Sequence, residues 1–599
     1  MAYTTPAIRV DPEPQPPEAA SDDYAPPDVN DFEAERAKLE MLDVKLTGQS
    51  HHSSIFSFFQ GNEAARQATE HEKNMSFRYT IAVFMAATVM MEGYETLVVP
   101  SFFSYQPFSR FYGVGLRQKR ADNTCGDDVL TPFNDVDGDG RMDRVVGTYW
   151  QTAITVGTAL GQLIGLFIVP PLTRRLGYRI SALIGLTMVA CFLMIPFGSS
   201  FIYYGGHQKR LKNGIFMMGE TLLGIPWGLF QGLVLPYVSD ITPHKLKGPA
   251  TTLINAFWIL GQMVSCAALS VASDLGFKNS EITPDVFRRD IWAFRGPMLV
   301  QYIWVVPFLL IIWMAPESPQ HLMRHGRDAK AVATLRRLNK DPRYDAQGNL
   351  DCMRLLDQHE KSQSSDMGIM ACFNKQNIRR TEVAIMVFLT QQLVGSPLIC
   401  YAAKLLQKSG TNQKLSLIVA TMMYLMCIVG TFASMAILRK FSRRISWMVG
   451  LTFEIVCLLA IGIGGFFINC ATANYLGWLI ASFIMVFAVA YNTTMGPIGY
   501  AIVSEVPATR LKTTTNSIAR SAYIVAAIIN LFLVPYMLQD KPEGWGLGCR
   551  AALLWAGTSA ACLVWAFFRL PETKDRTPAE IDILFEQKIP VRKWETTRL

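Results

Sequence analysis

The chain has 599 residues, with 56 Lys and Arg against 48 Asp and Glu, for a net charge of +8. Half of it is hydrophobic and only 17% is charged, with 35 Phe, 27 Met, 12 Trp and 43 Gly, at a mean hydropathy of +0.21. That excludes a disordered chain or a coiled coil, leaves too little charge to wet a soluble enzyme's surface, and suits a chain embedded in lipid. The positive charge sits in short clusters between apolar runs and not on a stripe interleaved with aromatics, so nucleic acid is not an expected partner.

Seven prolines fall within the first 30 residues beside many acids, so residues 1–77 read as a disordered tail without a signal peptide. From residue 79 onward, apolar runs long enough to cross a bilayer alternate with polar breaks. Twelve runs are expected: 79–101, 146–170, 180–198, 213–236, 249–272, 297–315, 382–406, 415–437, 446–468, 476–501, 514–537 and 551–570. The breaks after runs two, four, eight and ten hold Arg174, Arg175, Arg179, Lys245, Lys247, Arg439, Lys440, Arg443, Arg444, Arg510 and Lys512. The long break between runs six and seven adds twelve more Lys and Arg. The excess of Lys and Arg on one side makes that side, and both termini, cytoplasmic. The Lys209 to Lys212 string opposes this locally.

Eleven cysteines are scattered with neither a CxxC pair nor histidines at ligand spacing, so no metal and no cofactor are expected. Cys125 and Cys549 both fall in loops on the outer face and leave a disulfide open. Asp135 to Asp143 resembles the start of a calcium loop, but its twelfth position is Val146 where a bidentate acid is required, so an acidic turn is the better account. With neither a phosphate loop nor a nucleophile motif, the chain does not read as an enzyme.

A repeat runs through the chain. The segment Arg174-Arg175-Leu176-Gly177-Tyr178-Arg179 corresponds to Arg439-Lys440-Phe441-Ser442-Arg443-Arg444, and Ser239-Asp240 corresponds to Ser504-Glu505, at one common offset. Each half closes on Pro-Glu, at Pro316-Glu317 and Pro571-Glu572. The expected fold is therefore all-α and integral to the membrane, with twelve transmembrane helices in two pseudo-symmetric six-helix halves. The expected domains are 78–316, a cytoplasmic linker of short helices at 317–381, 382–571, and a cytoplasmic tail at 572–599.

Intramembrane charges are costly and must face a cavity or each other. Glu92 and Glu95 lie three apart in the first run and share a helix face, where desolvation and mutual repulsion disfavour holding both charges at once. They are the expected proton-coupling pair, with Glu95 titrating. Arg520 in the eleventh run needs a partner, and Glu220 in the fourth run or one of the first-run acids is available, Glu220 and Arg520 being the expected ion pair. Glu454 in the ninth run poses the same question farther from any central cavity. Asp240 and Glu505 are expected to form an inner gate, Asp240 pairing with Arg439, Arg443 and Arg444, and Glu505 with Arg174, Arg175 and Arg179.

The chain resembles the sugar-porter branch of the major facilitator superfamily, most of all the fungal maltose and α-glucoside permeases that co-transport a proton. The resemblance rests on Met91-Glu92-Gly93-Tyr94-Glu95-Thr96, Gly219-Glu220 through Gly228, Pro316-Glu317-Ser318-Pro319, Gln391-Gln392-Leu393-Val394-Gly395, Gly496-Pro497 through Pro507, and Phe568 to Lys574. It implies alternating-access symport of an α-glucoside or hexose with a proton, by a monomer in the plasma membrane. It puts Glu95 where relatives carry an Asp, and implies sugar contacts at Gln391, Gln392 and Asn255. Hydroxyls need donors and acceptors and a sugar ring has an apolar face, so Tyr94, Trp227, Tyr401 and Tyr500 are the candidate stacking aromatics. Pro397, Lys404 and Ile524 depart from the family's polar positions, which leaves a carrier of a non-sugar metabolite, in import or export, as the alternative, and a non-transporting sensor as a third reading.

Overall fold

The computed structural model describes residues 80–594 except 104, 114, 117, 121–129, 133–143, 203–205, 243, 277–283, 339–344, 364–367, 401–412, 468–472, 539–544, 575 and 577. The 1–77 tail, Cys125, the acidic loop at 135–143, Tyr401 and Lys404 lie outside the described residues.

Among the described residues, twelve helices are long and apolar enough to cross a membrane. The first half has spans at Thr80–Phe102, Tyr149–Leu176, Tyr178–Ser199, Arg210–Ile241, Lys247–Ala272 and Ile291–Met314. The second has Ile378–Ile399, Ile418–Lys440, Arg443–Gly464, Leu476–Glu505, Lys512–Val534 and Gly548–Arg569. Each overlaps its expected run, because a length of apolar sequence matched to the hydrocarbon core is a signal that tertiary contacts do not override. Among the described residues, strands occur only in the loop after the first span. There Gly115–Leu116 pairs antiparallel with Arg144–Val145, and Gln118–Arg120 with Leu130–Pro132.

The packing follows lipid logic. Large apolar side chains such as Ile303, Leu310, Trp313, Val456 and Phe568 stand more than half exposed on the outside of the bundle. Since lipid removes the hydrophobic drive between helices, close backbone approach takes its place. Gly161 and Gly165 of the second span face Gly224 and Gly228 of the fourth, and Gly157 faces Thr221; a Cβ on Gly161 would collide with the Thr221 carbonyl, and one on Gly228 with that of Gln162.

The sequence repeat is built as the same structure twice. Gly177 turns the second span into the third at φ +87°, a conformation L side chains avoid. The Glu317 carboxylate then accepts the backbone N–H groups of Tyr178 (2.8 Å) and Arg179 (3.1 Å) at the start of the third span. In the second half Glu572 accepts those of Arg443 (3.1 Å) and Arg444 (2.9 Å). The Arg179 guanidinium donates to the Trp313 carbonyl, and that of Arg444 to the Phe567 carbonyl at 2.7 Å. Each acid caps the dipole and the free N–H groups of a helix start.

Between the halves lie helices Pro319–Arg324, Asp328–Leu338 and Ala346–Gln363 around a small core of Leu322, Met323, Leu335 and Leu350, followed by the 3-10 turn Ile369–Phe373, whose Ala371 and Cys372 pack with Leu511. Glu360 docks this unit on the second half by accepting the N–H groups of Thr509 (2.9 Å) and Arg510 (2.8 Å). The described part of the 572–599 tail is also packed. Asp582 of helix Pro578–Glu586 pairs with Arg380 at the start of the seventh span, and Trp594 is fully buried against Phe585.

Candidate functional site

Glu92 and Glu95 are buried as expected, at 3% and 4% exposure, but they part company. Glu95 turns into its own half. It accepts a hydrogen bond from Nε2 of Gln301 in the sixth span, and its carboxyl lies against that of Glu220 in the fourth. Two buried carboxyls in contact repel each other when both are charged, so the arrangement is suited to share one proton between them. Glu220 is therefore not the partner of Arg520: three residues around the first span are enough to send the two acids to different neighbours.

Glu92 accepts from Nε2 of Gln231 and faces the second half. The charge opposite it is Arg520, which is attracted to Glu92 and buried at 5% exposure. The guanidinium lies 4.0 Å from the Phe388 ring centre, 4.7 Å from Tyr500 and 5.1 Å from Tyr523. A desolvated guanidinium over three aromatic faces is a strong cation–π arrangement, with each ring worth about 0.5–2 kcal/mol. It also presents a ring-lined, charge-polarised wall at the seam between the halves.

The paired glutamines divide their labour. Gln391 Nε2 donates to the carbonyls of Met495 (3.1 Å) and Gly496 (3.2 Å), so it braces the tenth span. Gln392 bonds the Tyr523 hydroxyl and accepts from Asn530 Nδ2 at 3.4 Å. Asn255 Nδ2 crosses the seam to Thr431 Oγ1 and Asn492 Oδ1, both at 3.3 Å. Tyr500 belongs to the Arg520 cluster. Tyr94 does not reach the seam: its hydroxyl donates to the Pro297 carbonyl at 2.7 Å and its ring packs edge-on against Trp304. Trp227 is fully buried within the first half, where spans two and four already touch backbone to backbone.

The expected gate pairings are corrected as well. Glu505 pairs with Arg443 in its own half, because Glu572 has fixed that helix start beside it. Asp240 crosses the seam to Lys512 at 3.0 Å, not to the Arg439 to Arg444 cluster, and also accepts from Ser318 Oγ at 3.4 Å. The Tyr178 and Thr513 hydroxyls, 2.8 Å apart, make a second crossing contact. Asn516 Nδ2 adds a third, donating to the carbonyls of Gln231 and Gly232. Arg174 and Arg175 stay exposed at the end of the second span, and Arg179 is held within its own half at the Trp313 carbonyl. Arg439 is exposed, its carbonyl accepting from Lys574 Nζ at 3.0 Å.

Gln231, Gln301, Phe388, Asn492, Lys512, Asn516, Tyr523 and Asn530 were not singled out from sequence as site residues. The amides among them carried a usable signal, a lone Gln or Asn inside an apolar run. No group of His, Cys, Asp and Glu among the described residues is arranged to hold a metal.

Residues 81–585 match the family described as "Sugar (and other) transporter". A general alpha-glucoside permease of Saccharomyces cerevisiae is 27% identical over 558 residues, covering 91% of this chain and 82% of the permease. A maltose permease of the same organism is 28% identical over 549 residues, covering 89% and 81%. Among solved structures, the proton:xylose symporter XylE bound to 6-bromo-6-deoxy-D-glucose superposes with a TM-score of 0.66 at 16% identity, over 86% of this chain and 100% of that one. The inward open form of XylE from E. coli gives 0.56 at 17% identity, over 85% and 99%. The chain belongs to the sugar (and other) transporter family, a multi-pass membrane protein of the major facilitator fold.

Proposed function

We propose that the chain carries an α-glucoside or a hexose across the plasma membrane together with a proton, as a monomer with both termini cytoplasmic. The reading is carried by one observation: the Glu95 and Glu220 carboxyls lie against each other, buried with Gln301 in a helix bundle, an arrangement suited to share one proton. It is supported by the relatives, which are named as permeases of α-glucosides and maltose.

In this account the sugar binds at the seam. Gln392 and Asn530 meet its hydroxyls, Tyr500 and Tyr523 its ring face, and Asn255 its far end. Binding there competes for the groups that hold Glu92 to Arg520, and so senses the first span, on which Glu95 sits one turn away. Loss of the proton from the Glu95 and Glu220 pair leaves two buried carboxylates in repulsion, which favours reopening to the side where a proton can return. Asp240 with Lys512, and Tyr178 with Thr513, close the cytoplasmic end of the seam in this state and must separate to release substrate inward.

The test is substitution of either acid. Glu95→Gln and Glu220→Gln should each abolish accumulation against a gradient while sugar exchange at equal concentrations continues. Accumulation that persists in both variants would remove the pair from proton coupling.

A further inference from the structure

Glu454 is a carboxyl the transport reading does not use. It lies in the ninth span, is fully buried, and meets the tenth span where that span breaks. The tenth span consists of helix Ala473–Thr493 and helix Met495–Glu505, with Thr494 between them at φ −121° and ψ −79°. Pro497 explains the interruption, since it has no N–H for the Thr493 carbonyl and its ring crowds that carbonyl. Thr494 Oγ1 lies 3.4 Å from Glu454 Oε1 and donates to the Ala490 carbonyl at 2.8 Å. Gly450, one turn earlier on the same face of the ninth span, makes room for Thr494: a Cβ there would strike its side chain.

A threonine hydroxyl has one hydrogen, and the nearer Ala490 carbonyl takes it. A proton on the Glu454 carboxyl would complete the contact with Thr494 and spare the span an unpaired charge. Among the described residues, Glu454 Oε2 has no hydrogen-bond partner, and Tyr491 and Cys457 are the other titratable groups facing the site. The front of the same break is held by groups at the seam. Asn255 bonds the Asn492 side chain, Thr431 Oγ1 donates to the Asn492 carbonyl at 3.1 Å, and Gln391 takes the Met495 and Gly496 carbonyls.

We propose that Glu454 is a positioning residue for substrate binding: a neutral acid behind the tenth span that donates to Thr494 and fixes the break presenting Asn492, Met495 and Gly496 to the seam. This rests on the transport reading, so the test has one readout that needs no substrate. In the full-length chain, melting is compared for E454A, T494V and the double variant, and uptake for these with E454Q and T494S. The double variant should melt no lower than the worse single. E454A and T494V should each raise KM about three- to tenfold at an unchanged surface-corrected maximal rate, the range of one intramembrane hydrogen bond. E454Q and T494S should stay within about twofold of the parent, with its pH profile. Additive melting losses would overturn the proposal whether or not a transported sugar has been found. So would E454Q as harmful as E454A, or E454Q that exchanges sugar but no longer accumulates it, which would make Glu454 a coupling acid.

Discussion

Replacing Asp240 with Asn should unlatch the linker end of the seam. Asp240 and Lys512 have side chains only 4% and 9% exposed and stand 3.0 Å apart. At an effective dielectric of about 20, their attraction is about 5 kcal/mol. Desolvation returns part of that, but removing one partner of a buried pair still costs about 3 kcal/mol, because the other charge is left uncompensated. Here the penalty is sharpened by the neighbourhood, since Lys247 lies within electrostatic reach of both Lys512 and Arg443. A cost of about 3 kcal/mol to the closed state alone moves the closed-to-open ratio about 150-fold. The assay is the labelling rate of T513C by an impermeant maleimide in inside-out vesicles, read on the peptide carrying position 513. D240N should speed labelling at least about tenfold, and the swap D240K with K512D should bring it back. An unchanged rate in D240N, or a swap that behaves like the single variant, would refute the latch.

Arg520→Lys keeps the charge but loses the planar stack on Phe388, Tyr500 and Tyr523. Uptake should fall about tenfold or more while surface expression is retained, and uptake within about twofold of the parent would contradict a role for the guanidinium plane. Gly228→Leu should prevent the second and fourth spans from meeting and abolish a monodisperse peak in size-exclusion chromatography, whereas Gly557→Leu, which has open space around it, should leave the peak intact. Acid should loosen the linker. Burial, then His325, Arg324 and Arg327, push His321 down from 6.5 to about 4. The unfolded linker therefore binds a proton the folded one refuses, and stability present above about pH 6.5 is lost as pH falls through about 4. Limited proteolysis of the linker should accelerate across that window, and less so in H321Q.

Much of the fold was legible because a bilayer enforces it: a run of about twenty apolar residues is a helix whatever it packs against. The repeat was legible too, and its reason is now physical. Glu317 and Glu572 each cap the helix start that follows an Arg-rich turn, so the Pro-Glu dipeptides and the Arg clusters are two ends of one contact. Partner choice was not legible. Opposite charges at two helix ends allow several pairings, and sequence spacing does not say which side a long side chain leaves by. Glu505 took Arg443 of its own half, and Asp240 took Lys512, a residue that had counted only towards orientation. Glu92 and Glu95 diverged for the same reason. Gln391 and Tyr94 show the other limit: polar groups in a family motif can be spent on holding a helix break or a neighbouring carbonyl.

The central claim is that sugar movement is tied to a proton held by Glu95 and Glu220. Its most direct measurement is uptake of labelled maltose, trehalose and glucose into permease-null cells expressing the chain, at about pH 5 and about pH 7, with and without a protonophore. The account predicts accumulation of at least one sugar, greater at acid pH, collapsing with the protonophore and absent in E95Q. Uptake that only equilibrates, or accumulation indifferent to pH and protonophore, would contradict it.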